Sequence, residues 1–176
     1  MALSSAPRTR VAANPLASLA ISSRYALGVI VIAGAEVGGD TLPMIERSNP
    51  PHLHHPPGYH HVTVVQPGVT VYLAGQCPLD GDGALVGEGD VVAQAEQVAR
   101  NIESALASVG ATPSDVVRTV IYVASHDRAA LSDVWTSLTS SGVASAFSSA
   151  ATLLGVAQLG YPGQLVEVDV TAALAS

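Results

Sequence analysis

Near the C-terminus the chain reads QLVEVDVTAAL, residues 164 to 174, and polarity alternates at every step. Val166, Val168, Val170 and Ala172 fall on one face of a strand, and Leu165, Glu167, Asp169 and Thr171 on the other. The valine face needs an apolar cover. The opposite face carries two carboxylates two residues apart with no basic residue near them in sequence, so it is either a wet outer surface or the wall of a site.

The cover is legible upstream. Asp90 is placed to cap a helix running through Val109. Its apolar residues Val91, Ala95, Val98, Ile102, Ala105 and Val109 recur at helical spacing, and Gly110 supplies the stop. A second helix is expected from Asp127 to Leu138, with Leu131, Val134, Trp135 and Leu138 inward. Strands are expected at 60–65 and 69–75, joined as a hairpin across Pro67-Gly68, and at 84–86 after the turn-rich LDGDG. Further strands are expected at 116–124, 152–159 and 165–172, the last two closing as a hairpin across Gly160–Gly163. The order βββαβαββ describes an α+β fold, a two-layer sheet with two helices on one face. Apart from the N-terminal arm, nothing in the chain then covers the other face, on which Leu153 and Leu165 join Glu167. Self-association through it into a closed ring is the expected remedy.

Residues 1–43 read differently. They are rich in Ser and Ala, with three Arg against two acids, and form a separate N-terminal extension to a domain at 44–176. Their apolar run Tyr25–Ala35 is 11 residues, short of the ~20 that span a bilayer. The segment is read as a poorly ordered, targeting or spurious arm ahead of Met44.

Charge excludes several classes. The chain has seven Arg, no Lys, and a net charge of -7. A nucleic-acid binder needs a cationic footprint, and a Schiff-base enzyme needs a lysine. A single cysteine, Cys77, rules out an internal disulfide and suits a cytoplasmic protein. Cys77 is read as a small buried residue. Five histidines at 52–61 suggest a metal at first sight, but Pro50, Pro51, Pro56 and Pro57 stiffen the run and no Cys or carboxylate completes a ligand set, so the stretch is read as a lead-in to the first strand. No metal and no cofactor is expected.

Three stretches, VYLAGQCPLDGDGALVG, DVVAQAEQVARNIESALASVGATPSDVVRTVIYVAS and TLLGVAQLGYPGQLVEVDVTA, resemble the RidA family, also called YjgF and historically endoribonuclease L-PSP. The likeness spans about Pro57 to Leu174. It implies a chorismate-mutase-like, RidA-like homotrimer with clefts between subunits, and hydrolysis of reactive enamines and imines, such as 2-aminoacrylate, to a 2-keto acid and ammonia. It also implies catalytic roles for Glu167, which would hold the attacking water, and Tyr59, which would cover the cleft. Gly75, Gln76, Ala151 and Leu153 would line it. The family's deaminases grip the substrate carboxylate with an arginine, which reads it bidentately. Here that position is Ala151, and no Arg or Lys follows Arg128. Arg118, on another strand, is the residue that could substitute for it, but a solvent-facing or helix-packing role is the expected one. The expected function is therefore a hydrolytic deaminase of enamine or imine metabolites with an altered substrate range. The alternative is a non-catalytic trimeric protein that binds a small molecule in the same cleft. The partner in either case is a small molecule, with no nucleic acid and no membrane.

Overall fold

Each helix begins where an aspartate can satisfy free backbone N–H groups. In the computed structural model, which describes residues 43–176, Asp90 accepts hydrogen bonds from the amides of Val92 and Ala93 and opens α1, Val91–Ser108. Asp127 accepts from the Ala129 amide and opens α2, Arg128–Thr139. Gly110 ends the first helical region at φ 74°. The buried stripe of α1 is Ala95, Val98, Ala99, Ile102 and Leu106; Val109, expected inward, lies beyond the last turn and is half exposed.

Among the described residues there are six strands: β1 (Ile45–Ser48), β2 (Val62–Val65), β3 (Val69–Tyr72), β4 (Val116–Val123), β5 (Ala150–Gly155) and β6 (Val166–Leu174). Their order with the helices is again βββαβαββ, but the members and pairings differ from the sequence reading. β1, which was not foreseen, pairs with β2 in a two-stranded sheet, and the main sheet runs β3-β6-β4-β5. The expected hairpin across Pro67-Gly68 does not form: β2 goes to β1 and β3 to the far end of β6. A β-carbon on Gly68 would overlap the Leu174 carbonyl and the Met44 side chain, so the glycine lets the chain pass between the sheets. The strand expected at 84–86 is a single bridge, Leu79 to Leu85. The Asp80 side chain, accepting from the Asp82 and Ala84 amides, closes that loop.

The expected final hairpin is also replaced. β5 runs parallel to β4, and β6 pairs antiparallel with the other side of β4. A parallel pair requires a crossover, and α2 provides it. This pairing decides which face each residue takes. Ile121 lies opposite both Leu153 and Val168, whereas Tyr122 lies opposite both Leu154 and Glu167. Leu153 is thus on the helix-covered face with Val168, not on the face of Glu167, and Leu154 takes the place expected for it.

The core lies between the helices and the main sheet. Val166, Val168, Val170 and Ala172 meet Ile102, Leu106, Val134, Leu138 and Phe147 there. The fully buried Gln94 ties the start of β6 to α1: its amide donates to the Gly87 and Gly163 carbonyls, and its oxygen accepts from the Leu165 amide. The apolar run at 25–35 and the rest of the N-terminal arm lie outside the described residues. Among the described residues no helix is long and apolar enough to cross a membrane.

Candidate functional site

The face of the main sheet turned away from the helices carries Glu167, Asp169 and Thr171 of β6, Arg118, Val120 and Tyr122 of β4, and Tyr72 of β3. Tyr122 donates a 3.1 Å hydrogen bond to Asp169. That bond, then burial and the nearby negative charge of Asp169 and Glu167, push the Tyr122 phenol above its ordinary value, and Arg118 opposes the shift. Arg118 is exposed, as the solvent-facing reading expects, and it does not pack on a helix. It lines a cavity with Tyr72, Gly75, Asp169 and Thr171.

Glu167 is held from two sides. Gln164, itself buried, donates its amide to Glu167 Oε2 at 2.9 Å. The Gln164 oxygen is fixed by the Tyr161 amide, and its nitrogen also reaches the Val166 carbonyl. On the other side stands Gly75. A β-carbon built there would overlap Oε1 and sit 2.9 Å from the Glu167 carboxyl carbon, so only glycine leaves the carboxylate its place. A bulge brings Gly75 to this point. Leu73 donates to the Val170 carbonyl and Gln76 exchanges hydrogen bonds with Val168. The chain thus takes three steps, 73 to 76, against two on β6, 170 to 168. Such an extra residue re-aims the backbone, often beside a site. The Gln76 side chain turns back to the Ala74 carbonyl and braces the bulge.

Cys77 was read as a bland buried residue. It lies instead beside this carboxylate. Burial first, and then the charge of Glu167, raise its thiol, partly offset by a hydrogen bond from Gln164. The group is a neutral thiol at physiological pH, not a thiolate nucleophile. Because it is the only cysteine, it reports on Glu167. Removing the charge with Glu167→Gln should lower the thiol pKa, so the midpoint of pH-dependent alkylation at Cys77 should move to lower pH. An unmoved midpoint would mean that the carboxylate is not where these contacts put it.

Tyr59 lies elsewhere in the domain. Its ring meets Trp135 edge-on at 6.2 Å and His61 at 5.6 Å, and its hydroxyl is hydrogen-bonded to His54 at 3.1 Å. With Pro57, Trp135 and Leu153 it lines a cavity that shares no lining residue with those beside Gly75. Ala151 lies on the edge strand β5, opposite Thr119. The chain therefore gathers Glu167, Gly75 and Gln76 in one place and Tyr59 and Leu153 in another. The histidines are structural neighbours here: His60 donates to the Ser148 carbonyl and His61 to that of His54. Among the described residues no group of three or more His, Cys, Asp or Glu could hold a metal ion. Arg47 binds Ser149 and the Ser114 and Val116 carbonyls, and Arg100 binds Gln97. Neither of these two guanidiniums is at liberty to replace the arginine missing at Ala151.

Residues 53–174 match the family model described as Endoribonuclease L-PSP. The chain belongs to the endoribonuclease L-PSP family. A Yersinia pestis member, YyfB, described as a protein of unknown function of the conserved Rid protein family, is 33% identical. The match covers 75% of this chain and 100% of that one, with a TM-score of 0.68. The yeast protein YEO7 is 26% identical over 73% of this chain and 98% of its own, with a TM-score of 0.53. No curated protein matches the chain. Membership of this L-PSP family agrees with the resemblance carried by the AGQ and LVEV stretches. Gln164 and Cys77, which that resemblance did not single out, are the additions the structure makes to the site.

Proposed function

We propose that the protein is a cytoplasmic hydrolytic deaminase of reactive enamines and imines, working as a homotrimer whose clefts lie between subunits. One observation carries the reading: Glu167 stands on the open sheet face, oriented by Gln164 and seated against Gly75. A carboxylate so oriented, with no guanidinium among the described residues bonded to it, suits proton transfer better than ion pairing. The separation of Tyr59 from Glu167 within one protomer supports a cleft completed by a second copy.

In this mechanism an imine, or the enamine that tautomerises to it, enters the cleft and Tyr59 closes over it. A water donates a hydrogen bond to Glu167. The water oxygen attacks the imine carbon, the C=N π pair moves to nitrogen, and Glu167 takes the water's proton. Glu167 returns that proton to the nitrogen, which gives a neutral carbinolamine. A second proton then passes from the carbinolamine hydroxyl to the nitrogen through Glu167, the oxygen pair closes the C=O bond as the C–N bond breaks, and ammonia leaves a carbonyl product. Water supplies the oxygen and balances both protons. Ala151 in the family's arginine position implies a substrate without a carboxylate. That same alanine favours the second reading, a trimer that binds a small molecule without turning it over. Ribonuclease action, suggested by the family's description, is disfavoured by a net charge of -7 and the absence of lysine.

The test is ammonia release from imines generated enzymatically in situ, with and without a carboxylate group. Release from carboxylate-free imines alone is the expected result. No release from any of them, with a small molecule retained through purification, would establish the binding role instead.

A further inference from the structure

We propose that the cavity beside Tyr59 takes the uncharged aromatic or branched side chain of a carboxylate-free imine. This inference rests on the imine-hydrolysis reading above and gives that reading a substrate class.

The cavity measures about 380 Å³ and is lined by Pro57, Tyr59, Ser132, Trp135, Thr136 and Leu153. None of these side chains is charged. Two of the three hydroxyls are engaged: Ser132 donates to the Arg128 carbonyl, and Tyr59 is bonded to His54. Thr136 presents the third, and the rest of the wall, Pro57, Trp135 and Leu153, is apolar. Tyr59 and Trp135 meet at 89°, and Phe147 backs Trp135 at 6.3 Å, so the aromatic corner is braced from behind. Rings prefer such edge and face contacts, which an aromatic occupant would extend.

Ala151 explains the charge preference. It precedes Leu153 by two residues on β5, so both side chains project to the same side. At that place the chain offers a methyl group and no cation. A carboxylate brought there would lose its hydration with nothing to replace it, whereas an apolar group would lose nothing. The cavity and Ala151 thus select in the same direction: they admit an aromatic or branched side chain and penalise an anion.

Trp135 is the only tryptophan in the chain, so its emission reports on this cavity without a label. The experiment titrates the full-length protein with 2-phenylethanol and, separately, with phenylacetate, which differs mainly in its carboxylate, exciting where tyrosine does not absorb. We expect a saturable change in Trp135 emission with the alcohol and binding of phenylacetate at least about tenfold weaker. In Ala151→Arg the order should reverse in favour of phenylacetate. A wild-type protein that shows no saturable response to the alcohol, or equal affinity for both probes, overturns the inference. So does an Ala151→Arg variant that keeps its fold by circular dichroism yet gains nothing for phenylacetate; should that variant not fold, the wild-type comparison decides alone. Ammonia release on the same preparation separates the two readings. Probe binding without turnover of any imine leaves the cavity standing and removes the hydrolysis. Turnover of carboxylate-free imines without selective probe binding does the reverse.

Discussion

Glu167→Gln should abolish most of the ammonia release while leaving the fold intact. General acid–base catalysis by a positioned group contributes about 10²–10⁴-fold, so kcat on a carboxylate-free imine should fall by at least ~100-fold, with a much smaller change in KM. Glutamine keeps the shape and can still face the Gln164 amide, although a neutral amide cannot take a proton from water. The fold should tolerate the change because the carboxylate lies on the open face of the sheet, away from the helix-side core of Val166, Val168 and Val170. The measurement is steady-state kinetics alongside thermal melting. A variant with unchanged kcat would remove Glu167 from the chemistry.

Gly75→Ala should cost nearly as much activity by a different route. The new β-carbon would meet the end of the Glu167 side chain, with the carboxyl carbon 2.9 Å and Cγ 3.1 Å away. Gly75 is not among the glycines with positive φ, so alanine suffers no backbone strain. The flexible partner gives way instead: Glu167 swings off and loses the 2.9 Å bond to Gln164. A displacement of about 1 Å in a reacting group can cost ~10²-fold, and a fall in kcat of that order is expected with little loss of melting temperature. Kinetics and calorimetry on one sample separate these effects. Full activity in Gly75→Ala would show that the seat against Gly75 does not matter. A collapse of stability would show that the glycine serves the fold.

Much of the fold was legible because its signals are local. The period of two in Val166, Val168, Val170 and Ala172 identified the buried face of β6, and Asp90 and Gly110 bracketed α1. Pairing was not legible, since strands at opposite ends of the chain choose partners by tertiary contact. β1 is four residues, IERS, too short for any alternation to stand out. Leu153 was placed on the wrong face for the same reason. A hairpin of the last two strands would have put it with Glu167, and the parallel pairing with β4 shifts it by one residue, which reverses every side chain. Glu167 itself was found from the polar face of its strand. Gln164 was not, because a glutamine in a Gly-Pro turn reads as solvent-exposed until the bond to Glu167 is seen. Cys77 follows Gly75-Gln76, which places it near any site those residues line, but with no His close in sequence the default reading is a small buried residue, and the effect of Glu167 on it shows only in the fold.

The most direct test is complementation between two inactive variants. Under the proposed trimeric reading, Glu167→Gln and Tyr59→Ala should each be inactive alone, since each would spoil every cleft of its own assembly. If Tyr59 of one copy meets Glu167 of another, coexpression should restore activity. Random assortment in a cyclic trimer leaves roughly a quarter of the clefts with both residues intact. Recovery of about that fraction of wild-type ammonia release is the expected result. Mixed trimers as inactive as either parent would contradict a site shared between copies.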